Sequence, residues 1–88
     1  MTFEEARAIL VAALDNAGNA LHNPRLSPRL SDAAQDVAFG EFDLDSLAAI
    51  EVCMEIEEKA GIEIDLGDLA QHGSLNALAR VVAERTGR

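Results

Sequence analysis

Three stretches of this chain repeat apolar residues at spacings of three and four, and each is bracketed by residues that start or stop a helix. Phe3, Ala6, Leu10, Ala13, Leu14 and Ala17 make the first stripe. Ala49, Val52, Cys53, Ile56 and Ala60 make the second, and Leu75, Leu78, Ala79 and Val82 the third. Residues so spaced share one side of a helix that turns about 100° per residue. An 88-residue chain holds one core at most, so the stripes have to cover one another. Aromatic residues are limited to three Phe, with no Trp or Tyr. The core is therefore Leu, Ile, Val, Ala and Met, which suits helices better than sheets. The expectation is a single all-α domain over residues 1–88, a four-helix bundle of three main helices and one short one.

Local signals set the boundaries. Thr2 and Glu5 read as a capping box for a first helix that ends near Gly18 or runs on to Leu21. Residues 19–45 form a long loop between the first two main helices, interrupted by Pro24 and Pro28 with Arg25 and Arg29 beside them. So many structureless residues are unusual in a compact domain, and Ser31–Phe39 is expected to form a short helix capped by Ser31 and stopped by Gly40. The second main helix is expected over Ser46–Ala60 with Gly61 as its stop. Ile62-Glu63-Ile64 alternates too briefly to make a sheet by itself. Asp65 can cap a short segment, Leu66–Gln71, and Gly73-Ser74 breaks the chain and caps a last helix ending at Thr86-Gly87.

Charge narrows the function. Sixteen acids face seven Lys and Arg, for a net charge of −9. Twelve of those acids and one Lys fall between Asp32 and Asp68, a local charge of −11 against +2 for the rest. Neither a nucleic acid nor an anionic membrane is an expected partner, because both require cationic surface. Proteins with basic patches are. The chain has no apolar run long enough to span a bilayer, and its first residues lack the basic and apolar regions of a secretory signal, so a cytoplasmic location is expected. The single Cys53 excludes an internal disulfide, and no metal site is expected.

Opposite the apolar stripe of the second main helix lie Leu47, Ile50, Glu51, Met54 and Glu58, with Glu55 at the margin. A solvated face does not need Leu, Ile and Met. Either these residues pack beneath the preceding loop, or they form an acid-rimmed docking patch for a basic partner.

Phe42-Asp43-Leu44-Asp45-Ser46-Leu47, at the start of this helix, resembles the Asp-Ser-Leu signature of acyl carrier proteins. Leu47, Ile50, Glu51, Met54, Glu57 and Glu58 fall at the spacings of that family's recognition residues, and Ile62-Glu63-Ile64-Asp65 followed by a short and a final helix also looks like it. The resemblance covers residues 39–85, and residues 2–18 fit its first helix. It implies that Ser46 carries a phosphopantetheine arm taken from coenzyme A by a phosphopantetheinyl transferase, and that Asp45 assists by helping to hold a divalent cation. It further implies a monomeric, freestanding carrier of acyl groups as thioesters in fatty-acid, polyketide or related specialised biosynthesis. Such a carrier is not itself an enzyme. Its partners would be acyl-loading and acyl-processing enzymes with basic patches that dock on Leu47, Ile50, Glu51, Met54, Glu55 and Glu58.

Asp43-Leu44 stand where the family has small residues, Phe42 where Leu is usual and Ala48 where many fatty-acid carriers have an acid, and the long loop is a further departure. These features fit a specialised carrier. A cleft beside Ala49 and Ala60 is expected to have room for a bound chain. The alternatives are an aminoacyl or peptidyl carrier, and an acidic helical interaction module without a cofactor, in which Ser46 would be a helix cap only.

Other chemistry finds little support. His22 and His72 are far apart in sequence, and no Gly-x-Ser-x-Gly turn surrounds Ser46. Counted from Asp43 as a calcium loop, position six is Ala48 rather than Gly and position twelve is Met54 rather than Glu. Cys53 lies on the apolar stripe and reads as a small buried hydrophobe.

Overall fold

A computed structural model describes residues 1–87. Five α-helices follow in order: α1 (Phe3–Gly18), α2 (Ser27–Leu30), α3 (Ser46–Ala60), α4 (Leu66–His72) and α5 (Leu75–Thr86). Two 3-10 turns, Ala20–His22 and Phe39–Glu41, lie in the connection between α1 and α3. The three long helices correspond to the three stripes, with α1 packed against both α3 and α5. Leu10 and Leu14 of α1, Val52 and Ile56 of α3, and Leu75, Leu78 and Val82 of α5 are all fully buried. The chain is an all-α bundle, as its periodicity predicts. No helix among the described residues is long and apolar enough to cross a membrane.

The caps follow local chemistry. Glu5 N–H donates to Thr2 Oγ1 at 3.1 Å and Thr2 N–H to Glu5 Oε1 at 2.9 Å, closing the expected box. Helix α1 stops at Gly18 and does not reach Leu21, because Asn19 takes the left-handed conformation at φ 55° and returns its N–H to the Asp15 carbonyl. Asn tolerates that geometry, so the terminator is the residue after the glycine. Helix α3 has the expected bounds, with Gly61 left-handed behind it. Asp65 and Asp68 form a reciprocal capping box at α4, which runs one residue past Gln71, and the Ser74 hydroxyl accepts from Ala77 N–H at α5. Ile62-Glu63-Ile64 joins no strand, and Ile64 is buried as an anchor.

The long connection departs from expectation. Ser31–Phe39 is not helical; the short helix is α2, earlier in the chain, with Pro28 in its first turn. Proline is pre-shaped for that position and its missing N–H would be unpaired there anyway. A helix over 31–39 would need its own carbonyls, but those of Asp32 and Gln35 accept from the Arg7 guanidinium instead. The segment beyond runs extended against the start of α5: Phe39 N–H donates to the Gly73 carbonyl and Leu75 N–H to that of Val37, both at 2.9 Å. Leu26, Leu30, Val37 and Phe42 from this connection complete the core.

Candidate functional site at the start of helix α3

The connection delivers the chain to α3 through two apolar anchors. Phe42 is buried, with its ring centroid 6.2 Å from that of Phe39. Leu44 is half-buried and lies against α1, where a Cβ on Gly18 would come within 3.2 Å of Leu44 Cδ2. Asp43, Asp45 and Ser46 point to solvent between and beyond these anchors.

Asp45, not Ser46, is the N-cap. Its backbone is extended, and its Oδ1 accepts from Ala48 N–H at 2.8 Å while its carbonyl accepts from Ala49 N–H at 3.0 Å. Ser46 is the first helical residue, exposed, with its hydroxyl not used in the cap. The first turn of α3 carries no acid beyond its cap, and the amides of Ser46 and Leu47 have no intrahelical acceptor. That end of a 15-residue helix favours a negative group. An exposed hydroxyl, open amides and an uncrowded first turn fit a phosphodiester on Ser46.

The outer face of α3 is open. Leu47 is 66% exposed, Met54 61% and Ile50 42%, so none is covered by the preceding loop, which inserts other residues into the core. Glu51 and Glu58 are exposed on the same face. Glu55 is engaged elsewhere: both its carboxylate oxygens accept from Asn16 Nδ2 of α1, at 2.9 and 3.0 Å, and Lys59 Nζ lies 3.5 Å away. The inner stripe packs as expected, with Val52, Cys53 and Ile56 buried and Ala49 and Ala60 half-buried. An apolar groove of about 430 Å³ runs along α1 between Ala8, Val11, Leu21 and Leu30, away from the stripe where room for a chain is expected.

The remaining candidates stay outside this site. Cys53 is 5% exposed, and burial, aided by Glu57, Asp65 and Asp68, pushes its thiol up to about 11, so it is protonated and unreactive at neutral pH. His22 Nδ1 lies 3.5 Å from Asp15 Oδ1, and His72 closes α4. Among the described residues no three His, Cys, Asp or Glu gather as a metal-ligand group.

Sequence reasoning missed the residues that hold the approach to Ser46. Arg7, Asn76 and the bidentate pair of Arg29 with Glu41 (2.6 and 3.0 Å) fasten the long connection. One signal was available. Arg7 lies between Ala6 and Leu10, on the buried side of the first stripe, where a cation needs a reason to be.

The compact helical bundle presents a free serine hydroxyl at the head of an acid-rimmed helix. The sequence model of the phosphopantetheine attachment site family matches residues 28–82, more than half of the chain, and the chain belongs to that family. It is a phosphopantetheine-carrying protein of the acyl-carrier type, and its cofactor is the covalently attached phosphopantetheine. Proteins of this kind interact with phosphopantetheinyl transferases and with biosynthetic enzymes. No curated protein and no solved structure matches the chain.

Proposed function

We propose that Ser46 is the residue that bears the phosphopantetheine and that the protein carries acyl groups for a fatty-acid, polyketide or related specialised pathway, without itself being an enzyme. The observation that carries this reading is the division of labour at the head of α3: Asp45 fills the cap, which leaves the Ser46 hydroxyl exposed and unspent. During installation Ser46 Oγ would bond to the pantetheine-side phosphorus of coenzyme A while the P–O bond to the nucleotide portion breaks. That portion leaves with the bridging oxygen, and the serine proton passes to the transferase or to water. The uncommitted amides of Ser46 and Leu47 and the positive end of α3 would favour the phosphodiester. Asp45, with one oxygen on Ala48 N–H, keeps its other oxygen for a divalent cation held during transfer. Bound, the arm supplies a terminal thiol on which an acyl group is carried as a thioester.

Partners with basic patches dock on Leu47, Ile50 and Met54, rimmed by Glu51 and Glu58. Exposed apolar area supplies affinity, and the acids supply orientation and encounter rate. Glu55 contributes from the margin through its hold on α1. The density of acids on α3 favours an acyl cargo over an aminoacyl or peptidyl one.

The test is an intact mass after incubation with coenzyme A, magnesium and a broad-specificity phosphopantetheinyl transferase. One added phosphopantetheine, absent from Ser46→Ala, is the expected result. The same gain in Ser46→Ala would place the arm elsewhere.

A further inference from the structure

The connection between α1 and α3 is fastened to the bundle through one buried cation. Arg7 is 5% exposed. Its Nε donates to Asn76 Oδ1 at 2.8 Å and its Nη1 to the Leu30 carbonyl at 2.6 Å. Its Nη2 donates to the carbonyls of Arg29, Asp32 and Gln35, at 3.0, 3.1 and 2.9 Å. No carboxylate among the described residues touches it; carbonyl dipoles and one amide oxygen take its hydrogen bonds, while Asp32 and Asp36 favour its charge from farther away. Only guanidinium has a planar fork with enough donors for such a set.

Asn76 of α5 works from the other side. Its Nδ2 donates to the carbonyls of Ala33 and Gln35 at 3.3 and 3.4 Å, and its backbone N–H to Asp36 Oδ1 at 2.9 Å. Two backbone bonds, Phe39 N–H to the Gly73 carbonyl and Leu75 N–H to that of Val37, hold the far end of the segment. Residues 31–36 are all exposed, and Leu26, Leu30, Val37 and Phe42 are its buried side chains. The long helices, in contrast, bury one another along entire stripes.

We propose that residues 23–42 form a strap that opens as one unit while α1, α3 and α5 stay folded, and that Arg7 is the pin that keeps it closed. Segments of a protein open cooperatively at a cost set by their own contacts. Here four carbonyls of the first half of the strap, those of Arg29, Leu30, Asp32 and Gln35, converge on one side chain, so losing its fork releases them together. The strap leads through Phe42 and Leu44 into Asp45 and Ser46. On the reading of Ser46 as the attachment residue, a closed strap offers partner enzymes a preformed surface beside the serine, and an open one has to be ordered on binding. Arg7 is thus a positioning residue.

Native-state hydrogen exchange on the full chain tests this. In the unaltered protein the amides of Ser31, Gln35, Phe39 and Phe42 should exchange together through an opening that is sensitive to denaturant but less so than global unfolding, well ahead of the α3 and α5 amides at Ile56 and Val82. Arg7→Lys keeps the charge but not the fork, and should speed strap exchange about tenfold with the α3 and α5 amides unmoved. Exchange of the strap only at the rate of Ile56 in the unaltered chain would overturn the separate unit. Equal acceleration of both sets by Arg7→Lys would overturn the pin. In phosphopantetheine transfer, Arg7→Lys should raise KM for the carrier about tenfold with kcat kept; an unchanged KM would sever the strap from the site. The mass test of Ser46 is separate, so failure there leaves the exchange result standing.

Discussion

Both carboxylate oxygens of Glu55 accept from the side-chain amide of Asn16, 39 residues earlier in the chain, and so bind α3 to α1. The acids of α3 therefore do not form one uniform face. Glu51 and Glu58 stand free at the rim of the Leu47, Ile50 and Met54 patch, whereas Glu55 belongs to the bundle.

The difference separates two kinds of mutant. Glu51→Lys and Glu58→Lys should weaken partner binding and flatten its dependence on ionic strength, with thermal stability unchanged. Glu55→Ala should instead lower stability by about 0.5–1 kcal/mol, and a double-mutant cycle with Asn16→Ala should recover most of that as coupling. Partner affinity against salt, alongside denaturant melts of the same variants, checks both. Binding indifferent to the reversals would remove the docking face.

Asp45 has a structural and a chemical role that substitution can split. Asn caps a helix as well as Asp does, so Asp45→Asn should keep the stability of α3 while slowing phosphopantetheine transfer at least about tenfold through loss of the carboxylate. Asp45→Ala should slow transfer as well and also cost about 1 kcal/mol of stability. Equal transfer rates in the unaltered protein and Asp45→Asn would leave Asp45 with the cap alone.

The buried Cys53 makes stability depend on alkaline pH. Its folded thiol is raised to about 11 from its ordinary value of 9.0, so the native state holds the proton that the unfolded chain releases. The stabilisation is complete below pH 9 and is lost as pH rises from there to about 11. The loss should be on the order of 2 kcal/mol, seen in urea melts across that range and missing from Cys53→Val. Thiol reagents at neutral pH should label Cys53 only when the protein unfolds.

Asn19 ends α1 in a left-handed conformation. Asn19→Ala should cost about 1 kcal/mol because a β-carbon without a compensating polar group is strained there, whereas Asn19→Gly should be neutral or slightly stabilising. The two melting temperatures, compared side by side, decide it.

The three long helices and their caps were legible in the chain because their causes are local. Thr2 and Glu5, Asp45, Asp65 and Ser74 each act on amides within three residues, and each stripe declares its buried side by period alone. The Asp45 start of α3 was legible for the same reason, and the family through its resemblance. The sequence left open whether Leu47, Ile50 and Met54 pack beneath the loop, and the fold decided that they do not. The path of residues 19–45 was not. Pro28 is compatible with either a broken or a started helix, and what selects the start is Arg7, whose guanidinium takes the carbonyls that a helix over 31–39 would have used. Its partners lie 22 to 69 residues away. Pairing across such distances is settled only when the bundle brings α1, α5 and the connection together, because a buried donor takes whichever acceptors the packed chain leaves within its reach.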